Sequence, residues 1–322
     1  MTDQAAQCCN QDAVRQLHAV YEVCGVRLAS RVPFPELDHA DATPDWFFEL
    51  GGFDSPALQA TDWIHHCYLP NRKLWRSSAK FGPSYLLRFH ELAEFCVVPR
   101  AATIQCNPQP PTPLDIIRRL LIDHVVPLTL SLNSRAAIHA SSITTPRGAI
   151  GFVGMSGCGK STLAASFVAA GHALLGDDCL ALKQDHGPIV ATPSGAGMWL
   201  SAEVATALSI EFGSIAPRKK RIAAPGAKLD APVVGLFVLA ASEPGTSVEM
   251  TRLSQADGLM ELVRHAFRLD VTDQPMLARQ FSLLSQLVQQ APVYRLKYPR
   301  EFLVLPAVRR VILQSIEGEL GR

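Results

Sequence analysis

The pattern of apolar and polar positions changes character partway along the chain. Up to about residue 106, short apolar stretches alternate with turn signals. Residues 20–28 (VYEVCGVRL), 46–49 (WFFE), 85–89 (YLLRF) and 94–98 (EFCVV) are rich in β-branched and aromatic side chains, which suit a pleated surface, and predict strands. Gly51-Gly52 and Phe81-Gly82-Pro83 punctuate them. This is the pattern of a small, mainly antiparallel β domain over residues 1–106. Residues 107–113 (NPQPPTP) carry four prolines, which oppose both helix and strand ladders and predict a linker. Thr112-Pro113 then opens a helix-length apolar run to about Leu132, with Pro127 placed to kink or break it. From Ala136 onward strand-like and helix-like segments alternate, so residues 114–322 read as an α/β domain. The late segment 292–299 (PVYRLKYP) alternates like an edge strand.

Composition narrows the class. A length of 322 residues with 48% hydrophobic and 18% charged residues describes a packed globular chain and gives a two-domain expectation. Net charge is +1, which creates no global field for nucleic acid or an anionic membrane. No apolar run approaches the ~18 residues of a membrane helix. The N-terminal stretch MTDQAAQCCNQDAV lacks the basic start and apolar core of a secretory signal, so the expected location is the cytoplasm. The eight cysteines form no C-x-x-C pair and read as reduced thiols, Cys158 and Cys179 among them. His65-His66-Cys67 resembles a ligand set, but adjacent strand residues face opposite ways, and a structural role is expected.

The chemistry concentrates after residues 149–153 (AIGFV), a short run with the look of a buried parallel strand. Gly154-Met155-Ser156-Gly157-Cys158-Gly159-Lys160-Ser161 follows, a full match to G-x-x-x-x-G-K-[ST]. Thr162 to Ala170 are good helix formers, closed by Gly171 as a C-terminal cap. Strand, glycine loop and helix in that order build a phosphate cradle. Glycines let successive N–H groups turn inward, and the helix start adds its positive dipole end. Residues 154–162 would therefore wrap a nucleotide's phosphates, Lys160 would bring a mobile charge to the β- and γ-phosphates, and the Ser161 hydroxyl would face Mg²⁺. Residues 172–182 (HALLGDDCLAL) then deliver Asp177 and Asp178 to the end of an apolar strand. Paired acids beside a triphosphate suit one metal ligand and one proton acceptor.

Gly-His-Ala-Leu-Leu-Gly-Asp-Asp after a glycine-loop helix resembles the HPr kinase/phosphorylase family of bacterial serine kinases. Residues 152–163 (FVGMSGCGKSTL) with Gly176-Asp177-Asp178 also resemble the related phosphoenolpyruvate carboxykinase nucleotide core. The resemblance implies a kinase core of that type with a smaller N-terminal β domain, using ATP and Mg²⁺. It implies that His139, in Ile138-His139-Ala140, lies near the transferred phosphate. It also implies Asp177 as base and Asp178 as metal ligand beside Ser161. The downstream Glu-(Ile/Val)-Arg-Gly-Leu-Gly signature of authentic HPr kinases does not occur, so the resemblance does not extend to HPr itself or to the reverse phosphorylase reaction. The stretch 193–200 (PSGAGMWL), Arg218-Lys219-Lys220-Arg221 and the late strand are similar to HPr-kinase-like proteins that phosphorylate a C-terminal serine of lasso-peptide precursors. The basic quartet has two open readings, contact with phosphate or an acidic substrate, or a solvated loop. The expected activity is transfer of the ATP γ-phosphate to a serine of a peptide or small protein. A small-molecule kinase acting on free serine or another metabolite, a carboxykinase-like enzyme, and an ATP-sensing regulator without turnover are the rivals. Oligomeric state stays open, although members of the family form homo-oligomers.

Overall fold

A computed structural model of the chain describes residues 18–58, 62–69, 71–195, 197–210, 220–240 and 246–318. These form a mixed α/β structure with two large sheets, divided into two compact units. One comprises the residues up to Val125 together with Asp270–Thr272, and the other Val126–Leu269 together with Asp273–Arg322.

The first unit holds β1 (Ala19–Val23), β2 (Val26–Ser30), β3 (Asp38–His39), β4 (Trp46–Leu50), β5 (Trp63–Tyr68), β6 (Leu74–Phe81), β7 (Ser84–Phe89), β8 (Ala93–Val98) and β9 (Thr103–Pro108). They make one nine-stranded sheet in the order β3-β1-β2-β4-β9-β8-β7-β6-β5. Only the pairs β2–β4 and β4–β9 are parallel. The run at 20–28, expected as one strand, is a hairpin. Cys24 and Gly25 both take positive φ, 54° and 64°, the combination a two-residue turn needs to match the twist of its strands. Cysteine is not a usual turn residue, so the apolar run hid the reversal.

The boundary also differs from the sequence expectation. Asn107 and Pro108 belong to β9, and Ala93 pairs with Pro108. The proline segment then turns back on the same unit, with Gln109 N–H and the Thr112 hydroxyl both donating to Leu92 O. The following helix, Leu114–Leu120, belongs to the first unit and not to the α/β domain that was expected to begin at 114. Arg118 Nε donates to Glu36 at 2.9 Å, and His124 packs against Trp75 and Phe89. The helix gives way to a π-helical segment, Leu121–Val125, before Val126–Thr129 resumes the α-helix and Leu130–Asn133 tightens to 3₁₀. Pro127 accounts for this. It has no N–H to donate one turn back, and its ring crowds that carbonyl, so the wider turn falls just upstream.

The second unit contains β10 (Ala136–Ile138), β11 (Ala140–Thr145), β12 (Gly148–Val153), β13 (Ala173–Gly176), β14 (Leu180–Lys183), β15 (Val190–Thr192), β16 (Met198–Leu200), β17 (Lys220–Ile222), β18 (Ala231–Ala240), β19 (Glu249–Arg252) and β20 (Val293–Lys297). Its main sheet runs β10-β14-β15-β18-β12-β11-β13, with β20 also on β18 and β19 on β20, while β16 and β17 form a separate ribbon. Between the named strands, only β12–β18 and β18–β20 pair in parallel, so helix-and-strand alternation in sequence did not produce a parallel sheet. β20, expected at an edge, is internal. It lies between β18 and β19, and its alternation survives because Arg295 and Lys297 point to Glu261 and Glu249.

Strand alternation sends successive side chains to opposite faces. Phe152 and Phe237 join a core with Leu163 and Phe167 of helix Lys160–Ala169 and Val308 and Ile312 of helix Leu305–Gly318. Their neighbours Val153, Leu236 and Val238 join Leu262 of helix Gln255–His265 and Leu284 and Leu287 of helix Gln274–Gln290. Each fully buried aliphatic or aromatic side chain contributes roughly 1.5–3 kcal/mol. Truncating Phe152 to Ala would cost about 3–5 kcal/mol. Among the described residues no helix is long and apolar enough to cross a membrane.

Candidate functional site

β12 is buried along its whole length and ends at Val153, and the glycine loop runs from Gly154 into helix Lys160–Ala169. A Cβ on Gly154 would stand 2.7 Å from Cys158 Sγ and 3.3 Å from Leu239 O, so the loop closes on itself only with glycine there. Gly159 precedes the first helical residue at φ 99°, a left-handed conformation that side chains oppose. Met155 projects outward and is 72% exposed. Thr162 lies in the first turn of the helix, after Ser161.

Lys160 is 5% exposed, and its ammonium is held by neighbouring groups. It donates to Gly154 O at 2.9 Å and to Met155 O at 3.2 Å, and lies 3.1 Å from His139 Nε2. An ammonium has only protons to offer, so His139 Nε2 accepts and the imidazole proton sits on Nδ1. Nδ1 lies 3.1 Å from Asp178 O, to which it donates. Burial, and then the Lys160 charge, push the His139 pKa down to about 4. The ring is therefore neutral at pH 7, an acceptor toward Lys160 and not a second cation.

His139 occupies the junction between β10 and β11, where its N–H donates to His265 O at 2.8 Å. The Phe267 ring lies edge-on to the imidazole. His265 is itself shifted below the usual histidine value, first by burial and then by the nearby His139 and Lys160.

The acid pair follows β13 directly. Asp178 adopts φ 61°, which turns its carbonyl toward His139 and leaves its Oδ1 3.9 Å from Nδ1. The Asp177 carboxylate is buried and accepts from Ser141 Oγ at 2.6 Å and from Trp199 N–H at 3.0 Å, with the Ser161 hydroxyl a further donor. Desolvation raises its pKa, the adjacent Asp178 charge raises it further, and the three donors oppose the shift. Two neighbouring carboxylates thus sit in different surroundings, one enclosed by hydrogen-bond donors and one partly open.

The fold brings together Lys160, Ser161, His139, Asp177 and Asp178, which lie apart in sequence. The basic quartet is not placed as a whole. Arg218 and Lys219 lie outside the described residues, as does the Lys220 side chain. Arg221 pairs across the ribbon with Trp199, whose amide holds Asp177, and its buried Nε finds no partner among the described residues. Cys158 lies against Gly154 and Cys179 is buried. Sequence reasoning gave no role to Ser141, Trp199, His265, Tyr298 or Arg300. Arg300 Nη1 donates to Gly157 O at 3.1 Å across 143 residues, a pairing with no local signature.

No family model matches the sequence and no curated protein matches it. Among solved structures, the HPr(Ser) kinase/phosphatase of Coxiella burnetii aligns with 56% of this chain and 97% of its own, at 12% identity and a TM-score of 0.30. A superposition that loose transfers neither activity nor substrate, and the functional reading rests on this chain's own residues.

Proposed function

We propose that this chain is an ATP- and Mg²⁺-dependent kinase that phosphorylates a serine hydroxyl of a peptide or small protein. One observation carries the reading. The buried lysine of the glycine loop is joined through His139 to the segment bearing Asp178, while the loop's Ser161 meets the buried Asp177. A cradle for phosphates and an acid pair thereby form one connected site.

The residues fit the groups the reading requires. Gly154 and Gly159 stand where side chains would crowd or strain the loop, so backbone amides are free to line it. The Ser161 hydroxyl and the partly open Asp178 carboxylate are hard oxygen donors suited to Mg²⁺. A bound Mg²⁺ would neutralise charge on the phosphates. Lys160 would exchange its loop carbonyls for phosphate oxygens. His139, neutral and fixed by Asp178 O, would direct the ammonium. Asp177, with its raised pKa, would accept the acceptor hydroxyl's proton as the oxygen attacks, and a base poised upward serves that step near neutrality.

Mass spectrometry of acceptors after incubation with the protein, ATP and Mg²⁺ tests the reading. A panel of free serine, HPr and a precursor peptide ending in serine should gain one phosphate on the peptide alone. Phosphate on free serine instead would move the assignment to a small-molecule kinase. ATP binding with no transfer to any hydroxyl acceptor would sink the kinase reading in favour of a sensor.

A further inference from the structure

Helices Gln255–His265 and Gln274–Gln290 of the second unit, with the segment that joins them, enclose a cavity of about 420 Å³. Helical spacing puts Leu277, Ala278 and Phe281 on one stripe of the second helix. Leu277 is half-buried and Ala278 exposed, and Phe281 is 50% exposed, while Leu284 further along the same stripe is buried in the core beneath. Val263 and Ala266 pack on that core as well, so the floor of the cavity is apolar and fixed. Among the described lining residues one is charged. Arg268 is half-buried and makes no hydrogen bond or ion pair among the described residues, whereas Arg264 and Arg295 nearby in the fold both meet Glu261. The buried Gln280 gives its amide hydrogen to Phe267 O at 2.7 Å, which fastens the joining segment to the helix.

That joining segment also backs the lysine and acid cluster. His265 O accepts from His139 N–H at 2.8 Å, Phe267 N–H donates to Ala137 O at 2.9 Å, and the Phe267 ring lies edge-on to His139. Ala266 is extended, at φ −71° and ψ 136°, and extended backbone sends successive side chains to opposite faces. Ala266 and Arg268 accordingly line the cavity, while Phe267 between them packs on His139. Charge then decides the occupant. One guanidinium with no counterion above an apolar floor matches an apolar side chain beside a single carboxylate, and no acid lines the cavity to attract a cation. Exposure of Ala278 and Phe281 leaves the groove open for a chain to pass through. We propose that this groove docks the acceptor. A Leu, Ile or Phe of the peptide or small protein seats against Leu277, Phe281 and Val263, and a neighbouring Asp or Glu pairs with Arg268. The proposal rests on the reading of the chain as a kinase of a peptide or small protein.

Phage-displayed random heptapeptides, selected on the immobilised full chain without nucleotide, test the groove. Selection should enrich sequences with Leu, Ile or Phe within two residues of Asp or Glu. The enriched peptide, made with a fluorescent label and titrated by anisotropy, should bind at least ~10-fold more tightly than its amide counterpart, with Gln for Glu or Asn for Asp. Arg268→Gln should weaken the acidic peptide to the level of that counterpart, Arg268→Lys should restore most of the binding, and Phe281→Ser should weaken both peptides. Arg268 has no partner in the fold, so its loss should leave thermal unfolding unchanged. No enrichment, enrichment without acids, or acidic-peptide binding indifferent to Arg268→Gln would overturn the groove and leave the kinase reading untouched, because no nucleotide takes part. A second arm adds ATP, Mg²⁺ and a serine appended to the peptide. Wild type should phosphorylate it, with KM for the peptide raised about 10-fold in Arg268→Gln. Phosphate on other acceptors with none on the bound peptide would overturn the groove as the acceptor's dock. No phosphate on any acceptor would overturn the kinase reading and this assignment together.

Discussion

In the sheet of the first unit, polar side chains satisfy one another across neighbouring strands. Ser77 Oγ lies 2.9 Å from His66 Nδ1 and 2.8 Å from His90 Nε2, and Arg88 meets Glu94, which also accepts from the Ser55 hydroxyl. Two of these four contacts join cross-strand neighbours, since Ser77 stands opposite His66 and Arg88 opposite Glu94. In the second unit the polar side chains gather where strands stop. His139 sits between β10 and β11, Asp177 and Asp178 follow β13, and Lys160 opens a helix after β12. Backbone carbonyls released from ladder pairing then become partners, as Gly154 O, Met155 O and Asp178 O do here. Pairing along a sheet face closes a polar group into structure. Convergence at strand ends leaves it able to exchange partners for a ligand.

Breaking the convergent site should produce the largest effect. Lys160→Met keeps an apolar stem but removes the cation, and phosphate transfer should fall by about 10³-fold or more. Thermal unfolding followed by circular dichroism should stay within a few degrees. Retained turnover would remove Lys160 from the chemistry. Asp177→Asn preserves shape without a proton acceptor, and single-turnover transfer should drop by roughly 10²–10⁴-fold. A loss below tenfold would assign the proton to another group.

The face-paired sheet should answer in stability and not in rate. Glu94→Gln weakens the contacts to Arg88 and Ser55 at a mostly buried position and should cost about 1–3 kcal/mol in urea unfolding, with kcat within about twofold. A large kinetic effect at unchanged stability would contradict the comparison. The smallest expected change sharpens it. The Ser141 hydroxyl favours the ionised form of Asp177, so in Ser141→Ala burial and Asp178 act with less opposition and the carboxylate pKa rises further. Because the base must be ionised to act, the acid limb of kcat/KM should move to higher pH. A limb that moves downward or stays fixed would separate Asp177 from the profile.

Several elements were legible because their determinants are local. The strands at 46–49, 85–89 and 94–98 carry a composition that needs no distant partner to be recognised. The hairpin at Cys24-Gly25 was hidden, since its turn interrupts no apolar pattern. The position of β20 was hidden too. Arg295 and Lys297 alternate with buried residues as they would on an edge, and only the pairing of β19 makes the strand internal. The proline segment looked like a separator because four prolines oppose regular structure, yet its hydrogen bonds to Leu92 tie it to the first unit.

By itself, the sequence determined the order of strand, glycine loop and helix around residues 148–169 and the delivery of two acids at the end of β13. Apolar runs, glycines and helix formers act over a few residues, and their consequences can be read where they stand. Only the tertiary structure decided that Ser141 and Trp199 would hold one of those acids, that His139 would cap the lysine, and that Arg300 would reach the loop. Those contacts span 36, 22, 21 and 143 residues. They follow from which strands pair and in what register, and pairing is settled by packing across the whole unit, which leaves no local mark in the chain.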